Sequence, residues 1–286
     1  MIGRINTFLI VITILFAVQA LAKSPRLVVC YTTGSVSRRQ AKEATKSMLE
    51  VLERLVGLPV NKYQSEFTTS PEKCLKFLKD KKTYFISADL GFFLTYRNKY
   101  HLKPMVWPKI KGKSTNKWYV IVRRGTYKDI KELKGKTLGG PLTNEPEFLR
   151  RVVFKCGINP EDFFVLKHSS HILHNLRRLA KGKLDAMILD NRQYDALSAL
   201  PFAKDLVSIF TSDPMPVPSI FAVDKRATGK EFKQFTRALS GFCSDSKGKS
   251  FCSMFGIDAF VPVKKTAYRQ VESLWGKCNK KASDVR

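Results

Sequence analysis

The sequence predicts an α/β fold with largely parallel sheets, divided into two lobes. Three observations predict it. Short β-rich segments alternate with helical stretches along nearly the whole chain, the pattern of strand–helix–strand units. Two β-rich segments, Trp118–Arg123 and Ser219–Val223, bracket a run that contains a complete set of strands and helices of its own. No internal repeat and no low-complexity linker interrupts the pattern. A chain that leaves one lobe, builds a second and returns makes two crossovers, which form a hinge beside a cleft.

Arg26–Tyr31 reads as a buried first strand, followed by turn and cap residues over Thr32–Ser37. Arg38–Val56 places Met48, Leu49, Leu52, Leu55 and Val56 on one helical stripe, which Gly57-Leu58-Pro59 ends. Ser70 as N-cap and Pro71 at the first helical position open a second helix running to Lys79. A short strand is expected over Ala88–Phe93. Trp118–Arg123 is a strand, Asp129–Lys134 a short helix, and Thr137–Gly139 a strand opening into a Gly-Pro loop. Phe148–Cys156 is helical up to Gly157, Ile172–Ala180 is a helix, and Ala186–Leu189 is a strand. Arg192–Leu200 is a helix before the returning strand Ser219–Val223. The expected division is a leader over 1–22, the first part of lobe one over 23–118, an inserted lobe two over 119–218, and the return to lobe one with C-terminal helices over 219–286.

The leader is read from Arg4 followed by an apolar run, Phe8–Ala22, broken only by Thr13 and Gln19. The run ends in Ala20-Leu21-Ala22, a small-x-small cleavage pattern, and falls short of the ~20 apolar residues a membrane span needs. Cleavage after Ala22 and a periplasmic product are expected, with an uncleaved N-terminal anchor as the alternative. No cysteine follows the small residues, which argues against a lipid anchor.

Lys and Arg number 51 against 24 Asp and Glu, a net charge of +27. Such a field draws anions, acidic partners and anionic membrane surfaces without specifying a fold. The bases are spread along the chain rather than interleaved with aromatics on one face, so specific nucleic-acid binding is not indicated. Six cysteines, at 30, 74, 156, 243, 252 and 278, make disulfides plausible in an oxidising compartment. Cys243 and Cys252 bracket a short polar loop, Ser244–Ser250, and form the expected pair. The other four allow three connectivities, and a buried free thiol at Cys156 stays open. No C-x-x-C or H-x-E spacing supports a metal site.

Several segments resemble one family in the same order. Asp89-Leu90-Gly91-Phe92-Phe93 with Tyr96 is similar to the DLAFLGPLPY segment of phosphonate-binding proteins, and Ile130–Thr137 to their LADLKGKT element. Ser170-His171 resembles a GSH pair, and Gly182–Ala186 with Asp190, Asn191 and Tyr194 resembles a GEVDA…DNDVY stretch. Phe255–Pro262 resembles a closing GIDGFVP signature. The resemblance to the phosphate, phosphite and phosphonate transporter-binding subunits runs from about 27 to 272. It implies a two-lobed type II periplasmic-binding fold, each lobe a mostly parallel sheet flanked by helices and joined by a two-strand hinge. It also implies capture of a small anionic ligand and its delivery to an ABC permease or, alternatively, presentation to a membrane sensor. No catalysis and no cofactor are expected.

The resemblance places an anion loop over Gly139–Leu149. Thr143 and Asn144 offer side-chain donors there, with helix capping as their other reading. Glu145 departs from the family's Ser-Thr-Ser cluster and opposes an anion unless it points away or is protonated. His171 is expected to pair with the anion; because His174 shares its helical face, a metal reading stands beside it, and His168 and His174 otherwise read as surface or packing residues. Tyr31, Thr32, Thr33 and Tyr96 are candidates from lobe one, against packing or turn formation. Asp190 is either a ligand acid, as the resemblance implies for an amine-bearing ligand, or the cap of the following helix. Tyr194 lines the cleft or packs.

Overall fold

The computed structural model describes residues 24–32, 37–264 and 266–278, so the expected leader and Thr33 lie outside the described residues. The first sheet has six strands in the order β13-β4-β12-β3-β1-β2, comprising β1 (Arg26–Cys30), β2 (Gln64–Thr68), β3 (Thr83–Ala88), β4 (Leu102–Lys109), β12 (Ser219–Val223) and β13 (Ala259–Pro262). The second has five in the order β10-β6-β9-β7-β8, comprising β6 (Trp118–Arg123), β7 (Thr137–Gly140), β8 (Val165–His168), β9 (Ala186–Asp190) and β10 (Leu206–Thr211). Each sheet joins a parallel set to antiparallel crossover strands. β1 runs parallel to β2 and β3, and β7 runs parallel to β8 and β9. β12 is antiparallel to β3 and β4, and β6 to β9 and β10.

Between the sheets the chain crosses twice, and the crossings pair with each other. β5 (Thr115–Asn116) and β11 (Met215–Pro216) form a two-stranded antiparallel ribbon with Met215 opposite Asn116 and Pro216 opposite Thr115. This ribbon is the two-strand hinge. The sequence-expected bracketing strands, β6 and β12, lie just inside the lobes that it joins.

Strand alternation divides the core into layers. In β1, Leu27 faces one layer with Met48 and Leu52 of α1 (Arg38–Leu55), while Val28 and Cys30 face the other side of the sheet. In β6, Ile121 packs with Leu176 and Leu179 of α4 (Ile172–Ala180), whereas Val120 and Val122 turn inward. Stacked rings fix these layers: Phe85 on Phe235 at 4.5 Å, and Phe93 on Phe221 at 4.5 Å between centroids. Each fully buried aromatic contributes roughly 1.5–3 kcal/mol relative to exposure.

Ser70 caps α2 (Pro71–Lys79) by accepting from Lys73 N at 3.2 Å. Three local expectations are corrected. The apolar run placed in a strand over Ala88–Phe93 belongs to two elements: β3 ends at Ala88, and α3 (Leu90–Tyr100) begins after Asp89. Leu90 to Leu94 are all buried, so no amphipathic period marks this helix. The helix expected over Phe148–Cys156 is α-helical only over Pro146–Phe148, continues as a π-turn over Leu149–Val153, and stops before Lys155 and Cys156, both at positive φ. The polar stretch Ser244–Ser250 is mostly helix, α7 (Ser246–Phe255), started by the Asp245 carboxylate, which accepts from Lys247 N and Gly248 N. Before it stands α6 (Gly229–Gly241), and α8 (Arg269–Lys277) closes the described chain.

All six cysteines are paired: Cys243–Cys252, Cys30–Cys74 and Cys156–Cys278, with Cα separations of 5.7, 5.7 and 5.9 Å. Cys156 is therefore neither a free thiol nor an available nucleophile. No helix among the described residues is long and apolar enough to cross a membrane.

Candidate functional site

A cavity of about 990 Å³ opens between the two sheets, and both lobes line it. Many of its polar groups come from the carboxyl ends of parallel strands, where strand-to-helix turns in open α/β sheets present ligand-binding residues, and Lys111, Lys113 and Asn116 come from the chain leading into the hinge. Tyr31 follows β1, and Asp89 and Gly91 follow β3. Asp190, Asn191, Arg192 and Gln193 follow β9 and enter α5 (Asn191–Ala196). Leu142, Glu145 and Phe148 come from the segment after β7, while Trp118, Tyr119, Ile172 and Leu176 give the second lobe a largely apolar wall.

Side-chain hydrogen bonds span the cleft, among them the exposed pair in which Lys111 Nζ donates to Asp195 Oδ2 at 2.8 Å. Arg192 Nη2 donates to the Tyr31 hydroxyl at 2.9 Å, linking residues 161 positions apart. Thr32 Oγ1 meets Glu145 Oε1 at 3.2 Å, across 113 positions. Behind Thr32, Asp89 Oδ2 accepts from the Thr32 N–H at 3.2 Å and from its hydroxyl at 2.6 Å. The Thr32 hydroxyl carries one proton and cannot give it to both carboxyls. The bond to Asp89 is the shorter, so it holds that proton more of the time, and the contact to Glu145 Oε1 is the weaker of the two.

Burial pushes the Glu145 carboxyl up to about 8, and the neighbouring Asp89 pushes the same way; the Thr32 contact works against both. Burial beside Asp89 thus favours the protonated carboxyl. Glu145 retains some exposure along its length, but protein surrounds its carboxyl end. Burial also raises the Tyr31 phenol; Arg192 opposes that shift, while Asp190 and Asp89 add to it. Arg192 touches solvent through the open cleft, and the surrounding protein works to lower its pKa. Tyr31 and Asp190 outweigh this and hold the guanidinium above its ordinary value.

The expected site residues separate into two groups. Tyr31, Thr32 and Asp190 stand at or beside the cavity. Asp190 also caps α5: its carboxylate accepts from Gln193 N at 2.8 Å while Gln193 Oε1 accepts from Asp190 N at 3.1 Å. Of the others, Thr33 lies outside the described residues, and the rest do not line this cavity. Thr143 is buried and donates to Gly140 O at 2.8 Å, closing its own turn. Asn144 keeps its Oδ1 buried without a hydrogen-bond partner. The helical run behind this loop begins at Pro146, which has no N–H, and passes from α to π geometry at Leu149. His171 is exposed, sits before α4 and donates its backbone N–H to Ser169 Oγ at 3.2 Å. Tyr96 packs on Phe92 and Tyr100, and Tyr194 stacks on Tyr119 at 4.0 Å. Among the described residues, no three His, Cys, Asp or Glu side chains converge to hold a metal.

Sequence reasoning passed over Asp89 and Arg192 as site residues. Each directly follows, or nearly follows, a buried strand at the start of a helix, and that position was the available signal.

No curated protein matches the sequence. Among solved structures, a Xanthomonas citri protein bound to ATP has a TM-score of 0.68 at 17% identity, covering 88% of this chain and 96% of its own. A binding protein component of an ABC phosphonate transporter from Pseudomonas aeruginosa has a TM-score of 0.66 at 14% identity, covering 88% and 86%. PhnD1 from Prochlorococcus marinus in complex with methylphosphonate has a TM-score of 0.62 at 13% identity, covering 90% and 99%. These likenesses establish the two-lobed type II periplasmic-binding fold. The family profile described as ABC transporter, phosphonate, periplasmic substrate-binding protein matches residues 32–268, so the chain belongs to the substrate-binding proteins of phosphonate ABC transporters.

Proposed function

We propose that this chain is an exported solute-binding protein that takes a small organic ligand with an oxyanion group into the inter-lobe cleft and delivers it to an ABC permease. The observation that carries the reading is a cavity of about 990 Å³ walled by both lobes and bridged by the Arg192–Tyr31 and Thr32–Glu145 hydrogen bonds. A ligand between these walls contacts both lobes at once and stabilises the closed form through its differential affinity. Arg192 with Tyr31 offers the oxyanion a guanidinium and a phenol. The apolar wall of Trp118, Ile172 and Leu176 favours a ligand with a carbon body over phosphate, phosphite or methylphosphonate.

A thermal-shift screen of phosphate, phosphite, methylphosphonate, longer alkyl and aryl phosphonates, sulfonates and carboxylates tests this reading. A ligand at a hundred times its Kd stabilises the folded state by about 2.7 kcal/mol, a rise of several degrees. The expected order is longer phosphonates above methylphosphonate and phosphate. No response to any phosphorus oxyanion would remove that ligand class.

A further inference from the structure

Glu145 stands where the family resemblance places an anion loop, and its own carboxyl fills the inner end of the cleft. Oε2 lies against Gly91 at the start of α3, so closely that a methyl group at Gly91 would overlap it. Oε1 meets the Thr32 hydroxyl of the opposite lobe at 3.2 Å. Asp89 lies just behind, held on the same hydroxyl at 2.6 Å. Among the described residues, Arg192, Asp190 and Asp89 act on the adjacent Tyr31, and Lys111 and Lys113 line the same cavity, so ions of both signs surround the space that Glu145 enters. An oxyanion entering here meets a seat that is already taken and a carboxylate behind it.

We infer that Glu145 is the specificity-determining residue of the cleft, a tethered carboxyl that turns fully ionised oxyanions away from the inner seat and admits a ligand group that brings a hydrogen-bond donor. A hydroxyl, an ammonium or a singly protonated oxyanion meets that condition. A sulfonate or a phosphonate dianion does not. The inference rests on the cleft being the ligand site and sharpens which ligands it takes.

The test titrates methanesulfonate, whose charge is fixed, and methylphosphonate into wild type, Glu145→Ser, Glu145→Gln and Glu147→Ser at pH 7 and pH 9, with thermal unfolding to confirm that each variant folds. Glu145→Ser vacates the seat and is expected to bind methanesulfonate about tenfold more tightly than wild type. For methanesulfonate, wild type weakens between pH 7 and 9, because the Glu145 carboxyl loses its proton around pH 8, whereas Glu145→Gln gives the same affinity at both. Glu147→Ser removes a carboxylate from the same segment that pairs with Arg150 and Arg151 and does not line the cavity, and it behaves as wild type. No gain in Glu145→Ser, or an equal gain in Glu147→Ser, overturns the inference. If wild type binds methylphosphonate and Glu145→Ser binds neither probe better, the cleft reading stands and this inference falls. If Glu145→Ser gains and wild type binds no phosphorus oxyanion, the inference stands and the phosphonate part of the functional reading falls.

Discussion

Cys156 and Cys278 are joined by a disulfide that ties the end of α8 to the second lobe, while Tyr268, just before α8, is buried against Phe93 and Phe221 of the first. Arg151 strengthens the attachment by donating to Trp275 O at 2.7 Å and lying over the Trp275 ring. The C-terminal segment is thus a third connection between the lobes, behind the hinge ribbon. The disulfide closes a loop of 122 positions, so a Cys156→Ser/Cys278→Ser double variant should lose about 2–4 kcal/mol, read from the urea midpoint.

Protonation of Glu145 sets a pH dependence with a definite sign. Its folded-state pKa of about 8 lies above the ordinary 4.5, so the folded state binds the extra proton between those values. This contribution to stability is fully present below about pH 4.5 and is lost as pH rises toward 8, with a slope approaching ~1.4 kcal/mol per pH unit for one proton. Chemical denaturation across that range should show wild type falling relative to Glu145→Gln. Parallel profiles would contradict the neutral assignment.

Arg192→Met should weaken oxyanion binding by about tenfold or more, since the guanidinium faces the cavity and meets Tyr31 across it. Stability without ligand should change by less than about 1 kcal/mol, because the bond lies at an exposed cleft wall. Calorimetric titration and thermal unfolding of the same preparation separate the two effects.

Gly140 ends β7 at φ 132°, and a Cβ there would come within 2.6 Å of the Ile188 carbonyl oxygen. Gly140→Ala should therefore cost about 1–3 kcal/mol and displace the segment that carries Glu145, lowering Tm and ligand response together.

Glu53 is buried and accepts backbone N–H bonds from Asn61 at 2.8 Å and Tyr63 at 2.6 Å. Glu53→Ala leaves both donors unsatisfied and should cost about 2–4 kcal/mol, visible as a lower denaturation midpoint.

What was legible in the sequence follows from periodicity and local chemistry. α1, α2, α4 and the returning strand β12 announce themselves because each carries a clear stripe, a cap or a short continuous buried run. α3 does not, since its first turns are buried on every side. The Thr228-x-x-Glu231 capping box starting α6 was readable and was passed over: Thr228 Oγ1 accepts from Glu231 N at 3.2 Å and Glu231 Oε2 from Thr228 N at 2.7 Å. At the site, Tyr31, Thr32 and Asp190 were legible as residues ending strands. Thr143, Tyr96 and Tyr194 carry suitable chemistry, but where their groups go is decided by neighbours distant in sequence or by turn geometry. The pairing of Cys30 with Cys74 and of Cys156 with Cys278 likewise depends on tertiary proximity that spacing does not encode.

The excess of positive charge and the carboxylates at the inner end of the cleft govern different stages of capture. A surface carrying +27 acts at a distance and therefore on arrival, hastening the encounter with any anionic solute or membrane face. The inner carboxyls act at contact and therefore on residence. Salt at physiological strength shortens the reach of the first to about 8 Å and leaves the second nearly unscreened. Speed of capture and choice of ligand are thus separately adjustable, and a change in the medium slows one without altering the other.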